Sequence, residues 1–291
     1  GEELLASVGS VKARYSLMDI LGGNINVFEI TIDSPTLHLL VKKDGTTNLD
    51  PILQALATDE APPPPGETPQ VSIKNVSLKN ATVNVVRELP EGGTQTVVVK
   101  NVNLTLDLLG NGQPSKIDIA AALGVELPGA AGKLGADIKA SYLIELNADL
   151  FPQKISGKTM IGVSEATGEL ALAKGFGTEI EVTLTPTDLS ETMRFLQDGK
   201  QLGQIKLSGP FNSQDLSADL KFVVDPIDKK ALNIAGAMIG MDFATTVISS
   251  ESQIKITAGA QQISVTGNLK MDKLAVSQIV DGKKGRTTPV L

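Results

Sequence analysis

Long stretches of this sequence alternate between apolar and polar residues, and this two-residue period constrains the fold more than any other feature. Because successive side chains of a strand point to opposite faces, each stretch predicts a strand with one apolar and one polar face. Turn residues such as Asp44-Gly45 and Gly92-Gly93 separate the stretches. The alternating segments are residues 27–41, 71–86, 96–109, 116–121, 134–146, 155–163, 179–185, 204–207, 216–224, 243–248, 253–257 and 262–270.

This pattern predicts an all-β fold. We expect a long, twisted, mainly antiparallel sheet, curled into an elongated groove or open sandwich, with few short helices. Short helices are predicted at residues 16–21, 48–56 and 188–197, the last because Leu189, Met193 and Leu196 have helical spacing and Gly199 follows. Residues 229–240 are compatible with helix or strand. We expect one domain over residues 1–291, with the proline-rich segment 58–70 as a surface excursion.

An internal repeat links the first strands. Six positions recur 46 residues later, and part of the pattern returns after a further 26 residues at Val99, Val102 and Leu104. Repeated β-units predict an array in which neighbouring units share one apolar face. The six positions are Val27, Ile30, Ile32, Pro35, Leu37 and Leu39, which recur as Ile73, Val76, Leu78, Ala81, Val83 and Val85.

Composition argues against several function classes. Aromatic residues make up only 3% and the net charge is −7, which disfavours a nucleic-acid binder that needs stacking platforms and a basic surface. There is no cysteine and the only histidine is His38, between Leu37 and Leu39, so we expect it to face solvent. The sequence predicts no catalytic residue, no metal site, no cofactor and no enzyme activity.

Two other patterns have ordinary structural explanations. Glu179 and Glu181 share one strand face, as like charges on an exposed strand do more often than catalytic carboxylate pairs. Gly175-Phe176-Gly177 lacks the third glycine of a dinucleotide-binding loop and predicts a turn.

Several motifs resemble the AsmA family of bacterial envelope proteins. They are Tyr15-Ser-Leu-Met-Asp-Ile-Leu-Gly-Gly, then the segment Ile30-Thr-Ile-Asp-Ser-Pro35-Thr-Leu-His-Leu, then Asp44-Gly-Thr-Thr-Asn48-Leu. The second copy of the repeat, from Val71 to Val83, resembles the strand pair that follows the proline linker in that family. The resemblance covers residues 8–110 well and 180–275 loosely.

The resemblance implies a function in lipid transport. Members have an N-terminal membrane helix and a periplasmic body of repeated β-structure, proposed to carry phospholipids between the inner and outer membranes. For this chain it implies a periplasmic location, a tether to the inner membrane through a helix that the chain lacks, a C-terminal region that it also lacks, contacts with the outer membrane or other envelope proteins, and a monomeric state.

The apolar repeat positions are therefore the predicted lipid-binding residues. A sheet with one apolar face needs a covering layer or a ligand, and aliphatic side chains without aromatic anchors suit phospholipid acyl chains. The alternative is an envelope scaffold or assembly factor with a dry β-sandwich core. We expect Thr31, Thr36, His38, Ser77, Thr82, Asn84 and Asn103 on the opposite face. The lipid-binding positions are Ile30, Ile32, Leu37, Leu39, Val76, Leu78, Val83, Val85, Val102 and Leu104.

Overall fold

The computed structural model consists mainly of strands. Strands account for 70% of the model and helices for 10%. An average globular protein has roughly 20–25% of its residues in strands. Fifteen strands belong to mainly antiparallel sheet structure that is not closed, and three short α-helices accompany them. The predicted fold class is confirmed. The structure describes residues 5–56, 70–89, 92–126, 132–148, 150–212, 215–227, 229–238, 241–257, 259, 261–279 and 287–289, so the proline-rich excursion, apart from Gln70, lies outside the described residues.

The elements are numbered in chain order. The α-helices are α1 (Leu17–Leu21), α2 (Asp50–Leu56) and α3 (Lys229–Met238), and a 3₁₀ helix spans Gly168–Ala173. The strands are β1 (Ala6–Ser7), β2 (Ser10–Tyr15), β3 (Ile25–Asp33), β4 (Thr36–Val41), β5 (Val71–Glu88), β6 (Thr94–Gly110), β7 (Pro114–Glu126), β8 (Lys133–Leu146), β9 (Pro152–Ala166), β10 (Phe176–Leu184), β11 (Asp188–Gln197), β12 (Lys200–Asn212), β13 (Ser217–Ile227), β14 (Met241–Asp242), β15 (Val247–Thr257), β16 (Gln262–Asp272), β17 (Ser277–Ile279) and β18 (Thr287–Pro289).

The chain divides into two compact units. The first unit comprises Gly1–Pro128 and Glu145–Phe151, and the second comprises Gly129–Ile144 and Pro152–Leu291. In the first unit the strand order is β1-β4-β5-β6-β7, and β2 pairs with β3, which also pairs with β5. In the second unit the order is β8-β9-β10-β11-β12-β13-β15-β16, and β14, β17 and β18 form a separate small sheet.

The 46-residue repeat corresponds to a parallel pairing in the first unit. Strands β3 and β4 both run parallel to β5, and all their paired residues are 46 positions apart, as in Ile30 with Val76 and Leu37 with Val83. The hydroxyl oxygens of Thr31 and Ser77 lie 3.1 Å apart across this pairing. Equivalent positions of the repeat are therefore direct neighbours, and their side chains lie on the same side of the sheet.

Left-handed residues interrupt the strands of the repeat. Ser34 and Asn80, again 46 positions apart, have φ angles of 50° and 52°, and Asn75 and Asn101 also have φ of 52°. The pairing register of β5 with β6 shifts between Leu78 and Ala81. An extra residue in one strand reverses the alternation of its side chains. The irregularity therefore keeps two apolar residues that are three positions apart on one side of the sheet.

The prediction of a helix at residues 188–197 is wrong, because this segment forms strand β11. It pairs along its length with β10 on one side and β12 on the other. Asp198 and Gly199, with φ angles of 50° and 79°, join β11 to β12. Two successive positive φ angles characterise the tight turn that favours hairpins, so Gly199 belongs to a strand connection. Helices α1 and α2 form where the sequence predicts them, and α3 resolves the ambiguous segment as helix.

The second unit contains a cluster of buried side chains around α3. This helix packs against the 3₁₀ helix. Ala231 and Ile234 of α3 and Leu170 and Ala173 of the 3₁₀ helix are buried. Thr246 is fully buried, and its hydroxyl oxygen accepts a hydrogen bond from the Ala275 backbone amide at 3.0 Å. This part of the second unit has the close packing of a conventional protein core.

Candidate functional site

Paired residues of neighbouring strands form rows of side chains across the sheet of the first unit. In antiparallel and parallel pairs, partner residues project to the same face, so the members of one row share a face. A polar row, Lys12–Thr31–Ser77–Thr105–Asp118, lies between two apolar rows. The apolar rows are Ala13–Ile30–Val76–Leu106–Ile117 and Val11–Ile32–Leu78–Leu104–Ile119.

Two more apolar rows lie further along the same strands. Strand β7 has no extra residue relative to β6, so Ile117, Ile119, Leu123 and Val125 all project to one face. All four rows therefore share one face, which we call the apolar face of the first unit. Val102 pairs with Ala81 between them. The structure thus places all ten predicted residues on the apolar face. The further rows are Leu37–Val83–Val99–Leu123 and Leu39–Val85–Val97–Val125.

Exposure distinguishes this face from a conventional core, apart from Ala81, which is 6% exposed. All ten predicted residues are half-exposed and none of them is buried. On the opposite face, Thr31, Thr36, Ser77, Thr82, Asn84 and Asn103 are also half-exposed, and His38 is exposed. In the second unit, by contrast, Leu220 is 4% exposed. Similar accessibility on both faces is the property of a single layer, because in a sandwich the facing side chains would be buried.

A depression of about 580 Å³ lies on the polar side of the same strands. Thr31, Ser77 and Thr105 contribute hydroxyl groups to it. The carboxylate of Asp107 accepts hydrogen bonds from the backbone amides of Leu108 and Lys116, each at 2.7 Å. This carboxylate therefore has structural partners, and the depression lies opposite the apolar face.

Asp44 and Asn48, from the motif Asp44-Gly-Thr-Thr-Asn48-Leu, form local hydrogen bonds. The Asp44 carboxylate accepts hydrogen bonds from the backbone amide and hydroxyl of Thr46, at 2.9 and 2.6 Å, in the turn after β4. The side chain of Asn48 accepts from the Leu40 amide and donates to the His38 carbonyl, both at 2.9 Å. These contacts fasten the segment before α2 to β4. They are structural and supply no reactive group.

A capping arrangement begins helix α2. The carboxylate of Asp50 accepts hydrogen bonds from the Thr47 backbone amide at 2.8 Å and the Thr47 hydroxyl at 2.6 Å. The Thr47 hydroxyl oxygen in turn accepts from the Leu49 amide at 3.2 Å. Hydrogen bonds from the Thr47 side chain and backbone lower the pKa of Asp50, because they stabilise its charged form.

Glu179 and Glu181 belong to an ion-pair cluster in the second unit. Lys158 on β9 lies 3.1 Å from Glu179, and Arg194 on β11 lies 2.9 Å from Glu181. Both glutamates project from the polar side of β10 between these two cations. Their negative charges are therefore compensated by cations on the two neighbouring strands.

Other candidate features have no site geometry. His38 is exposed, with its ring 3.5 Å from the Asn84 amide nitrogen. Gly175 has φ of 77° and lies in a turn, whereas Phe176 and Gly177 of the predicted turn belong to β10. Within the described ranges, no group of three or more acidic or histidine side chains is placed to hold a metal ion. In the same ranges, no helix is both long enough and apolar enough to cross a membrane.

Comparison with known proteins identifies no relative. No family model, curated protein or solved structure matches this chain. The resemblance to the AsmA family therefore stays a prediction from the motifs quoted above.

Proposed function

We propose that this chain is a non-catalytic lipid-binding module whose apolar face holds phospholipid acyl chains. The observation that carries the proposal is the half-exposed state of the ten predicted lipid-binding residues. Leaving so much aliphatic surface in contact with water is unfavourable by about 25 cal/mol per Å². A bound hydrocarbon ligand would remove this cost without altering the sheet.

The chemistry of the face supports acyl chains as the ligand class. Its side chains are isoleucine, leucine, valine and alanine, which offer dispersion contacts and no directional polar contacts. Strand β5 has 18 residues, which corresponds to a length of roughly 60 Å. That is about twice the ~30 Å hydrocarbon thickness of a bilayer, so several acyl chains can lie along the face.

We further propose that the chain is part of a periplasmic conduit that moves phospholipids between the inner and outer membranes. This proposal rests on the motif resemblance to the AsmA family, and it includes a tether to the inner membrane, contacts with the outer membrane or other envelope proteins, and a monomeric state. A continuous apolar face would let acyl chains slide while the headgroups stay in water. No cofactor or metal is part of this mechanism.

A structural scaffold is the second candidate function. The buried cluster around α3, including Leu170 and Ile234, supports it, because a close-packed region of this kind needs no ligand. In that case the second unit would be a dry assembly module and the apolar face of the first unit would bind protein.

Mass spectrometry of the purified protein tests lipid binding. The protein is extracted with organic solvent, and a parallel sample is incubated with fluorescent phospholipid before native gel electrophoresis. We expect co-purified phospholipid and comigrating fluorescence. Reproducible absence of both would contradict the lipid-binding proposal and favour the scaffold.

A further inference from the structure

Helix α1 has an inverted arrangement of polar and apolar side chains. Its four apolar side chains are exposed, with Met18 77% and Leu21 75% accessible and the others Leu17 and Ile20. Its single polar residue, Asp19, is half-exposed and faces its own unit. In a water-exposed helix the apolar side chains pack against the protein and the polar ones face out.

Hydrogen bonds fix this orientation. The Asn26 side chain on β3 donates to the Asp19 carboxylate at 2.9 Å, and the Asn24 amide donates to the Asp19 carbonyl at 2.9 Å. The Ser16 hydroxyl caps the helix by accepting from the Asp19 amide at 3.4 Å. Bonds from Ser16 and Asn26 also lower the pKa of the Asp19 carboxyl. The one charge on the helix is thus satisfied on the protein side, and the outward surface is uncharged.

We infer that α1 inserts its outward side chains into the headgroup–acyl boundary of a lipid bilayer and docks the first unit on a membrane surface. The helix directly follows β2, whose Val11 and Ala13 extend the apolar rows, so the docked helix would lie beside the proposed lipid-carrying face. The inference rests on the proposed function in taking that bilayer as the source of the bound lipid.

The size and charge of the patch favour a bilayer over a protein partner. Four aliphatic side chains that are 43–77% accessible offer on the order of 450 Å², about half of the ~800 Å² per partner of a standard protein interface. Shallow insertion of a short apolar surface needs no such area. The nearby cations Lys12 and Arg14 both contact Glu29, at 3.0 and 3.1 Å, and together with Asp19 these four side chains carry no net charge. Docking should therefore be independent of anionic lipid and insensitive to salt.

Vesicle flotation tests the inference. The full chain is mixed with vesicles of pure phosphatidylcholine, with and without about 0.5 M sodium chloride, which shortens the screening length to a few ångströms. We expect wild type to float in both conditions. The double variant M18S/L21S should bind roughly tenfold more weakly or worse, because each substitution removes apolar surface from the contact. The matched control F151S/L172S changes side chains that are 68% and 58% exposed outside α1, and it should float like wild type.

A fluorescent reporter provides a measurement that does not depend on the double variant. The chain contains no tryptophan, so Leu21→Trp places the only tryptophan on α1 and Leu172→Trp places the only one on the 3₁₀ helix. We expect a blue shift with vesicles for Leu21→Trp and none for Leu172→Trp. Absence of wild-type flotation, flotation of M18S/L21S like wild type with an unchanged circular dichroism spectrum, or no shift for Leu21→Trp would each overturn the inference.

Lipid content separates this inference from the proposed function. M18S/L21S loaded with detergent-solubilised phospholipid should retain the wild-type amount of bound lipid, because α1 contributes no residue to the apolar rows. Wild type that floats but never carries lipid would contradict the proposed function and leave bilayer docking standing. Wild type that carries lipid but does not float would overturn the docking alone.

Discussion

The side chain of Asn103 accepts a hydrogen bond from the backbone amide of Asn80 at 3.1 Å and donates one to the carbonyl of Asn101 at 2.7 Å. It therefore bridges the two left-handed residues at which β5 and β6 lose their regular alternation. This irregularity keeps the aliphatic side chains of both strands on the apolar face. Asn103, on the polar face, thus stabilises the backbone irregularity that sets which side chains project to the apolar face.

The first prediction concerns the left-handed residue in β5. Asn80→Val should lower the free energy of unfolding by about 1–2 kcal/mol, because a β-branched residue is unfavourable at a φ of 52°. Asn80→Gly should stay within about 0.5 kcal/mol of wild type, since glycine adopts this conformation without strain. Urea denaturation of both variants measures the difference. Equal stability of the two variants would show that the left-handed conformation is not maintained in solution.

The second prediction compares a packed side chain with one on the apolar face. Ile234 in α3 is 7% exposed, so Ile234→Ala should cost about 2–4 kcal/mol through lost contacts and a cavity. Ile32→Ala on the half-exposed apolar face should cost about 1 kcal/mol. Thermal and urea unfolding of lipid-free protein give both values. A loss at Ile32 as large as the loss at Ile234 would indicate that the apolar face is covered as a dry core.

The third prediction concerns the acid dependence of helix α2. Because hydrogen bonds from Thr47 lower the pKa of Asp50 in the folded state, its contribution to stability is present above the unfolded-state pKa and is lost as the pH falls through the lower folded-state pKa. Asp50→Asn should therefore be less stable than wild type at neutral pH, and the difference should shrink below about pH 4. Denaturant titrations from pH 7 to acid measure it. A difference that does not change with pH would contradict the assigned cause.

The fourth prediction concerns the ion pairs of the second unit. Arg194 and the two glutamates are partly exposed, so Arg194→Met should cost less than about 1 kcal/mol at low salt. The cost should decrease as sodium chloride is added, because salt screens exposed charges. Lys270→Met removes a cation that is paired only with Asp272 on its own strand among the described ion pairs, and it serves as the control. A large loss that is independent of salt would assign the cluster a buried structural role.

The strand pattern and the repeat could be predicted from sequence because both follow from local chemistry. Alternation predicts strands without any knowledge of their partners, and the 46-residue offset between Ile30 and Val76 reappears as their pairing register. The ten residues of the apolar face follow from the same two rules.

The remaining features depend on contacts that the sequence does not display. Leu189, Met193 and Leu196 fit a helical spacing, but the segment pairs with two neighbouring strands as β11. The hairpin signal Asp198-Gly199 was available and outweighs that spacing. The cation partners of Glu179 and Glu181 come from other strands, so their pairing could not be read from the glutamate spacing alone.

Bound lipid in charge variants of the apolar face tests the central claim most directly. A carboxylate facing hydrocarbon is unfavourable by several kcal/mol unless it is hydrated. On an uncovered face, water hydrates it when lipid is absent. Val83→Asp and Leu39→Asp should therefore abolish bound phospholipid while circular dichroism and melting temperature stay close to wild type. Thr82→Asp, on the opposite face, should retain both lipid and stability. Unfolding of Val83→Asp together with a wild type that carries no phospholipid would contradict the account and establish a dry core.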